Sequence, residues 1–94
     1  MQIRWYSEAV HDLTEVRKYI ANDNPRAARE VAGRIVEEIA HLKNHPGMGR
    51  PGRVEGTREL VIPGLPYIIP YRVRNNFIEL LRVLHAVRIW PKEF

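Results

Sequence analysis

Over Gln2–Tyr6 the chain alternates with a period of two: Ile3 and Trp5 take one side, Arg4 and Tyr6 the other, which predicts a strand. From Ser7, read as a helix N-cap, the period lengthens. Ala9, Leu13, Val16 and Ile20 recur at helical spacing, with Asp12, Glu15, Arg17 and Lys18 on the outer face. Asn22-Asp23-Asn24-Pro25 ends this helix and opens another, with Asn24 as cap and Pro25 at the first helical position. Ala28, Val31, Ile35, Ile39 and Leu42 form a seam at three- and four-residue steps, predicting a second helix from about Pro25 to Asn44. Two amphipathic helices joined by so tight a link pack as an antiparallel hairpin. His45-Pro46-Gly47 stops the second helix, because proline restricts the residue before it and has no backbone donor.

The remainder is punctuated by turns. Residues 46–56 hold Pro46, Gly47, Gly49, Pro51, Gly52 and Gly56 and read as a mobile surface loop carrying Arg50 and Arg53. Thr57–Pro63 reads as a strand with Arg58, Leu60 and Ile62 on one face. Pro63-Gly64-Leu65-Pro66 is a turn, and Tyr67–Arg74 is the next strand, in which Pro70 signals an irregularity or bulge. After an Asn75-Asn76 turn, Phe77–Leu84 is apolar on both faces and is placed centrally. The order β-α-α-β-β-β predicts one α+β domain over residues 1–94, a two-helix hairpin packed on a small, mainly antiparallel sheet.

Charge adds an asymmetry. Residues 1–49 hold seven Lys/Arg and seven Asp/Glu, whereas residues 50–94 hold eight and four, so the second half carries the whole formal +4. A basic half favours a polyanionic partner, nucleic acid or an acidic protein. The absence of cysteine excludes disulfides and thiolate metal sites and fits a reducing cytoplasm. No charged-then-apolar leader and no apolar run long enough to span a bilayer is present, so no membrane role is expected.

Candidate chemistry gathers near the C-terminus. Arginine can hold a phosphodiester, and histidine moves a proton near neutral pH. Arg82, His85 and Arg88 stand at the end of the last strand, and Arg58, Arg72, Tyr71 and Trp90 supply further charge and rings. In a regular strand Arg82 and His85 point to opposite faces. They converge only if the chain bulges near Leu84. The histidine that ends a strand is also often a plain hydrogen-bonded boundary residue, and Arg82 can equally be a structural partner of backbone or Glu79. His41 and His45 lie one helical turn apart without a third ligand, so no metal and no cofactor is expected.

Three stretches, His45-Pro-Gly-Met-Gly-Arg-Pro51, Tyr67-Ile-Ile-Pro-Tyr-Arg-Val73 and Leu80-Leu-Arg-Val-Leu-His-Ala-Val-Arg88, resemble in order and spacing the RelE/ParE superfamily, the toxins of type II toxin–antitoxin modules. The resemblance spans nearly the whole chain. It implies a toxin silenced by a cognate antitoxin whose flexible segment wraps it. RelE-like members enter the ribosome and cut mRNA without metal, and ParE-like members poison DNA gyrase and are not nucleases. Under the first implication, which leads, His85 moves protons, Arg82 and Arg88 stabilise charge, and Arg58, Arg72, Tyr71 and Trp90 hold RNA. The alternatives are a gyrase inhibitor and a degenerate module member that only binds its antitoxin. Two departures from the RelE pattern count against nuclease activity: Ile68 stands where many RelE-like nucleases have arginine, and Thr57–Pro63 has no lysine pair, although histidine-using relatives manage with fewer basic residues.

Overall fold

The computed structural model describes residues 1–88 and 90–94. The elements are β1 (Gln2–Trp5), α1 (Ser7–Ala21), α2 (Pro25–Ala40), a 3-10 turn (His41–Lys43), β2 (Arg50–Pro51), β3 (Arg58–Val61), β4 (Tyr67–Arg74), β5 (Phe77–Leu80) and β6 (Leu84–His85). Asn24 caps α2 through its side-chain oxygen, which accepts from the Ala27 N–H at 3.1 Å, and Pro25 opens the helix. Ser7 is not a cap. It is the first helical residue of α1, Tyr6 takes the cap position without a side-chain bond, and the Ser7 hydroxyl donates to Glu8.

The sheet order is β1-β5-β4-β3-β2, with β6 also paired to β4. β1 runs parallel to β5, and the other pairings are antiparallel. The helices cross from β1 back to the sheet, and their apolar seams cover one of its faces. Ala9, Ile35, Ile39 and Leu42 meet Leu60, Ile69, Tyr71, Ile78 and Leu80 in a single cluster. Asn75 and Asn76 both take positive φ, 53° and 65°, so a tight two-residue turn links β4 to β5. The middle strand is Tyr67–Arg74 rather than the last one. Tyr67 through Tyr71 are buried on both faces, and β5 lies between β4 and β1.

Two segments differ from expectation. The loop over residues 46–56 is tied down: β2 pairs with β3, and the buried Tyr71 hydroxyl accepts from the Gly49 N–H and donates to the Pro46 carbonyl, both at 2.9 Å. A Cβ on Gly49 would lie 2.6 Å from the Tyr71 ring, so glycine is what lets the loop close on it. The last strand is also not continuous over Phe77–Leu84. Tyr71 faces Leu80 and Ile68 faces Leu84, so Ile69 and Pro70 oppose three residues, Leu81, Arg82 and Val83. This is a bulge. Pro70 has no N–H to give the ladder, and its carbonyl accepts from the Leu81 N–H at 2.9 Å.

Candidate functional site

The bulge decides what the C-terminal strand presents. It shifts register by one residue, so Arg82 and His85 reach the same cleft despite their opposite parity. The cleft has a volume of about 630 Å³ and lies between α1 and the C-terminal strand. Asp12, Val16 and Tyr19 line one wall, and Tyr67, Arg82, His85 and Arg88 the other.

Arg82 is paired inside it with Asp12. Its Nε donates to Asp12 Oδ2 at 2.7 Å and its terminal nitrogen to Oδ1 at 3.0 Å, a bidentate fork. Asp12 Oδ2 also accepts the Val83 N–H at 3.0 Å, which the bulge strips of a ladder partner. One carboxylate therefore holds both the arginine and the kinked backbone. The bond from Asp12 pushes the Arg82 guanidinium further above its ordinary range, fixing it as a cation.

His85 is half-buried, with its ring edge-on to Tyr67 at 5.7 Å between centroids. Its Nδ1 accepts the Val87 N–H at 3.3 Å. That bond assigns the neutral ring a proton on Nε2, a donor, and leaves no free lone pair on the imidazole. Burial raises the Tyr67 phenol above its usual value, keeping it protonated. Arg88 is exposed and forms no ion pair among the described residues.

The other candidates lie elsewhere. Tyr71 is fully buried under the loop, closed to any base. Arg58, across the ladder from it, donates to the Gly49 carbonyl at 2.8 Å. Arg72 lies on the opposite, outer face of the sheet, donating to Glu79 at 2.8 Å and to the Tyr6 hydroxyl at 2.7 Å. Trp90 donates its indole N–H to the His85 carbonyl at 3.1 Å, and the Arg53 guanidinium stands 3.6 Å over its ring. The structure thus brings together Arg82, His85 and Arg88 in the cleft, joins Trp90 to the His85 backbone outside the cleft lining, and does not bring Arg58, Arg72 and Tyr71 to them.

Sequence reasoning missed Asp12 and Glu59. Asp12 looks like outer-face polarity but adjoins Leu13 at the edge of the apolar stripe. Glu59 is only 3% exposed and holds both Arg50 and Arg53. Its burial drives its pKa upward, but bonds from the Arg53 N–H and from both guanidinium groups outweigh this and hold it below the ordinary value.

The comparisons agree with this architecture. The family described as the ParE toxin of type II toxin–antitoxin systems, parDE, matches residues 3–90. The chain is 45% identical to the putative toxin Y4kP of Sinorhizobium fredii over 97% of this chain and 94% of that protein. It is 33% identical to Toxin RelE2 of Caulobacter vibrioides over 94% and 98% of the two chains. Among solved structures, a chain of the chromosomal ParDE toxin–antitoxin system from P. aeruginosa superposes with a TM-score of 0.84 at 30% identity, covering 92% of this chain and 96% of that one. The protein is a type II toxin of the RelE/ParE superfamily and belongs to its ParE toxin family. Its partner is accordingly a cognate antitoxin.

Proposed function

We propose that this toxin arrests growth by binding DNA gyrase in the cytoplasm, and that it cuts no RNA. The observation that carries this reading is the Arg82–Asp12 fork. Cleavage by an adjacent 2′-hydroxyl needs a group to take its proton and cations to hold the phosphorane charge. Both oxygens of Asp12 occupy Arg82, so its charge is already compensated before any phosphate arrives. His85, with Nδ1 taken by the Val87 N–H, has no basic nitrogen to offer in that tautomer. Among the described residues Arg88 is the one cleft cation without an ion pair, and one exposed cation is a poor substitute for a preorganised set. Arg82 and His85 read better as the parts that fix the bulge and the shape of the cleft.

The test sets two assays side by side on the purified toxin: trapping of cleaved DNA by gyrase, and cleavage of mRNA on programmed ribosomes. The expected result is trapped gyrase–DNA complex and intact mRNA, with both the growth arrest and the trapping reversed by the antitoxin. Cleaved mRNA that disappears on His85→Gln would overturn the reading and restore the nuclease mechanism.

A further inference from the structure

The outer face of the sheet, away from the helices, carries a second constellation. Register places Arg4, Arg72, Arg74, Phe77 and Glu79 on it at the β1-β5-β4 end, and Arg50 and Glu59 at the β2-β3 end. The two ends repeat one design. A carboxylate buried to 3% exposure, Glu59, pairs with Arg50 at 3.0 Å and Arg53 at 3.2 Å. Another at 5%, Glu79, pairs with Arg72 and Arg74, both at 2.8 Å. In each case two guanidinium groups share one carboxylate, so one positive charge is left over. Arg4, over the Phe77 ring at 3.9 Å, adds a third. Five arginines against two carboxylates leave this face three positive charges out of the chain's formal +4.

We propose that this face seats the sugar-phosphate backbone of double-stranded DNA. The carboxylates are sunk in the sheet and hold four of the arginines, whose side chains stay 26% to 54% exposed with little rotamer freedom left to lose. Anions are the complement of such a surface. Duplex is favoured over splayed single strands by the aromatic groups. Single-strand readers stack bases on open rings, but Phe77 and Trp90 each carry a guanidinium over one ring face, at 3.9 and 3.6 Å. Contact is through charge, so binding is independent of sequence. The face lies across the sheet from the His85 cleft, so this inference goes beyond the gyrase reading.

The experiment is fluorescence anisotropy of a short labelled duplex titrated with the full chain at two salt concentrations, with neither gyrase nor ribosome present. Neutralising three phosphates gives a slope of log K on log salt near about −2.7, so affinity falls about fortyfold between about 50 and about 200 mM salt. The variant Arg4→Gln/Arg74→Gln removes two exposed cations and leaves the Arg72–Glu79 pair. It is expected to keep its melting temperature, to bind at least about tenfold more weakly, and to lose only about threefold over the same salt range. Arg17→Gln/Arg29→Gln takes the same charge from the helices and is expected to bind as the wild type does. The proposal is overturned by no duplex binding at low salt, by equal losses in the two variants, by tighter binding of a single strand, or by an acidic peptide displacing the probe more effectively than unlabelled duplex.

Discussion

The molecule uses its arginines in two ways, and the contrast lies in stoichiometry. At the bulge, one arginine meets one carboxylate across two layers: Asp12 takes Arg82 on both oxygens, and its Oδ2 accepts the Val83 N–H as well. On the outer face two arginines meet one buried glutamate, at Glu59 and again at Glu79. The one-to-one pair ends in neutrality and holds a backbone kink. The two-to-one clusters end in residual charge held rigidly at the surface. The same residue types thus give a fastening in one place and an anion-facing surface in the other. What separates them is the number of carboxylates in reach.

The largest expected effect comes from breaking the one-to-one pair. Asp12→Ala leaves Arg82 without its counter-charge and the Val83 N–H without an acceptor, in a site where the Asp12 side chain is only 13% exposed. A loss of about 3 kcal/mol in urea unfolding is expected. Asp12→Asn keeps an acceptor for Val83 and is expected to lose about half as much. Equal stability of Asp12→Ala and wild type would sink the claim that this carboxylate holds the bulge.

Glu79→Gln sharpens the comparison from the other side. It removes the shared charge under Arg72 and Arg74, and a loss of about 2 kcal/mol is expected, moderated because Arg74 keeps access to solvent. Acid should act in the same direction. The Arg72 bond first, then the Arg74 charge and the Tyr6 hydroxyl, overcome burial and hold Glu79 below its ordinary value of 4.5. Glu59 is depressed as well. A carboxylate with a depressed native pKa contributes stability that is complete above the unfolded value and lost as pH falls through the native one. Unfolding free energy is therefore expected to be flat above about pH 5 and to fall below 4.5. In Glu59→Gln/Glu79→Gln the decline should be shallower. An unchanged decline would assign the acid sensitivity to other carboxylates.

The smallest effect is expected at His85. Among the described residues its side chain makes one hydrogen bond, at 3.3 Å, to a neighbour two residues on. His85→Gln should shift stability by less than about 1 kcal/mol and leave growth arrest intact. Loss of arrest in a folded His85→Gln protein would give the imidazole a role beyond shaping the cleft.

How far these features were legible in the sequence follows from their range. The helix seams, the Asn24-Pro25 cap and the Asn75-Asn76 turn are set by neighbours within a few residues, and each stands where the pattern places it. Pro70 even announced an irregularity, because a missing N–H must disturb some ladder. The disturbance appears on the facing strand, at residues 81–83. Asp12 was not legible. Its partner is 70 residues away, and helical periodicity reports the average side of a residue at the edge of the stripe, not the reach of its side chain. Glu59 hid for a related reason: an alternating strand places it opposite Leu60, which reads as solvent, until the arginines of the 46–56 loop close over it. Ser7 misled because a good capping residue stood one position inside the helix.

The claim that this toxin acts by binding is tested most directly by single-turnover reaction of the wild-type chain with mRNA on programmed ribosomes. With Arg82 bound to Asp12 and His85 Nδ1 occupied, full-length mRNA is expected at every time point, from toxin that traps gyrase on DNA in a parallel sample. Site-specific cleavage of that mRNA, abolished by His85→Gln in a folded protein, would contradict it.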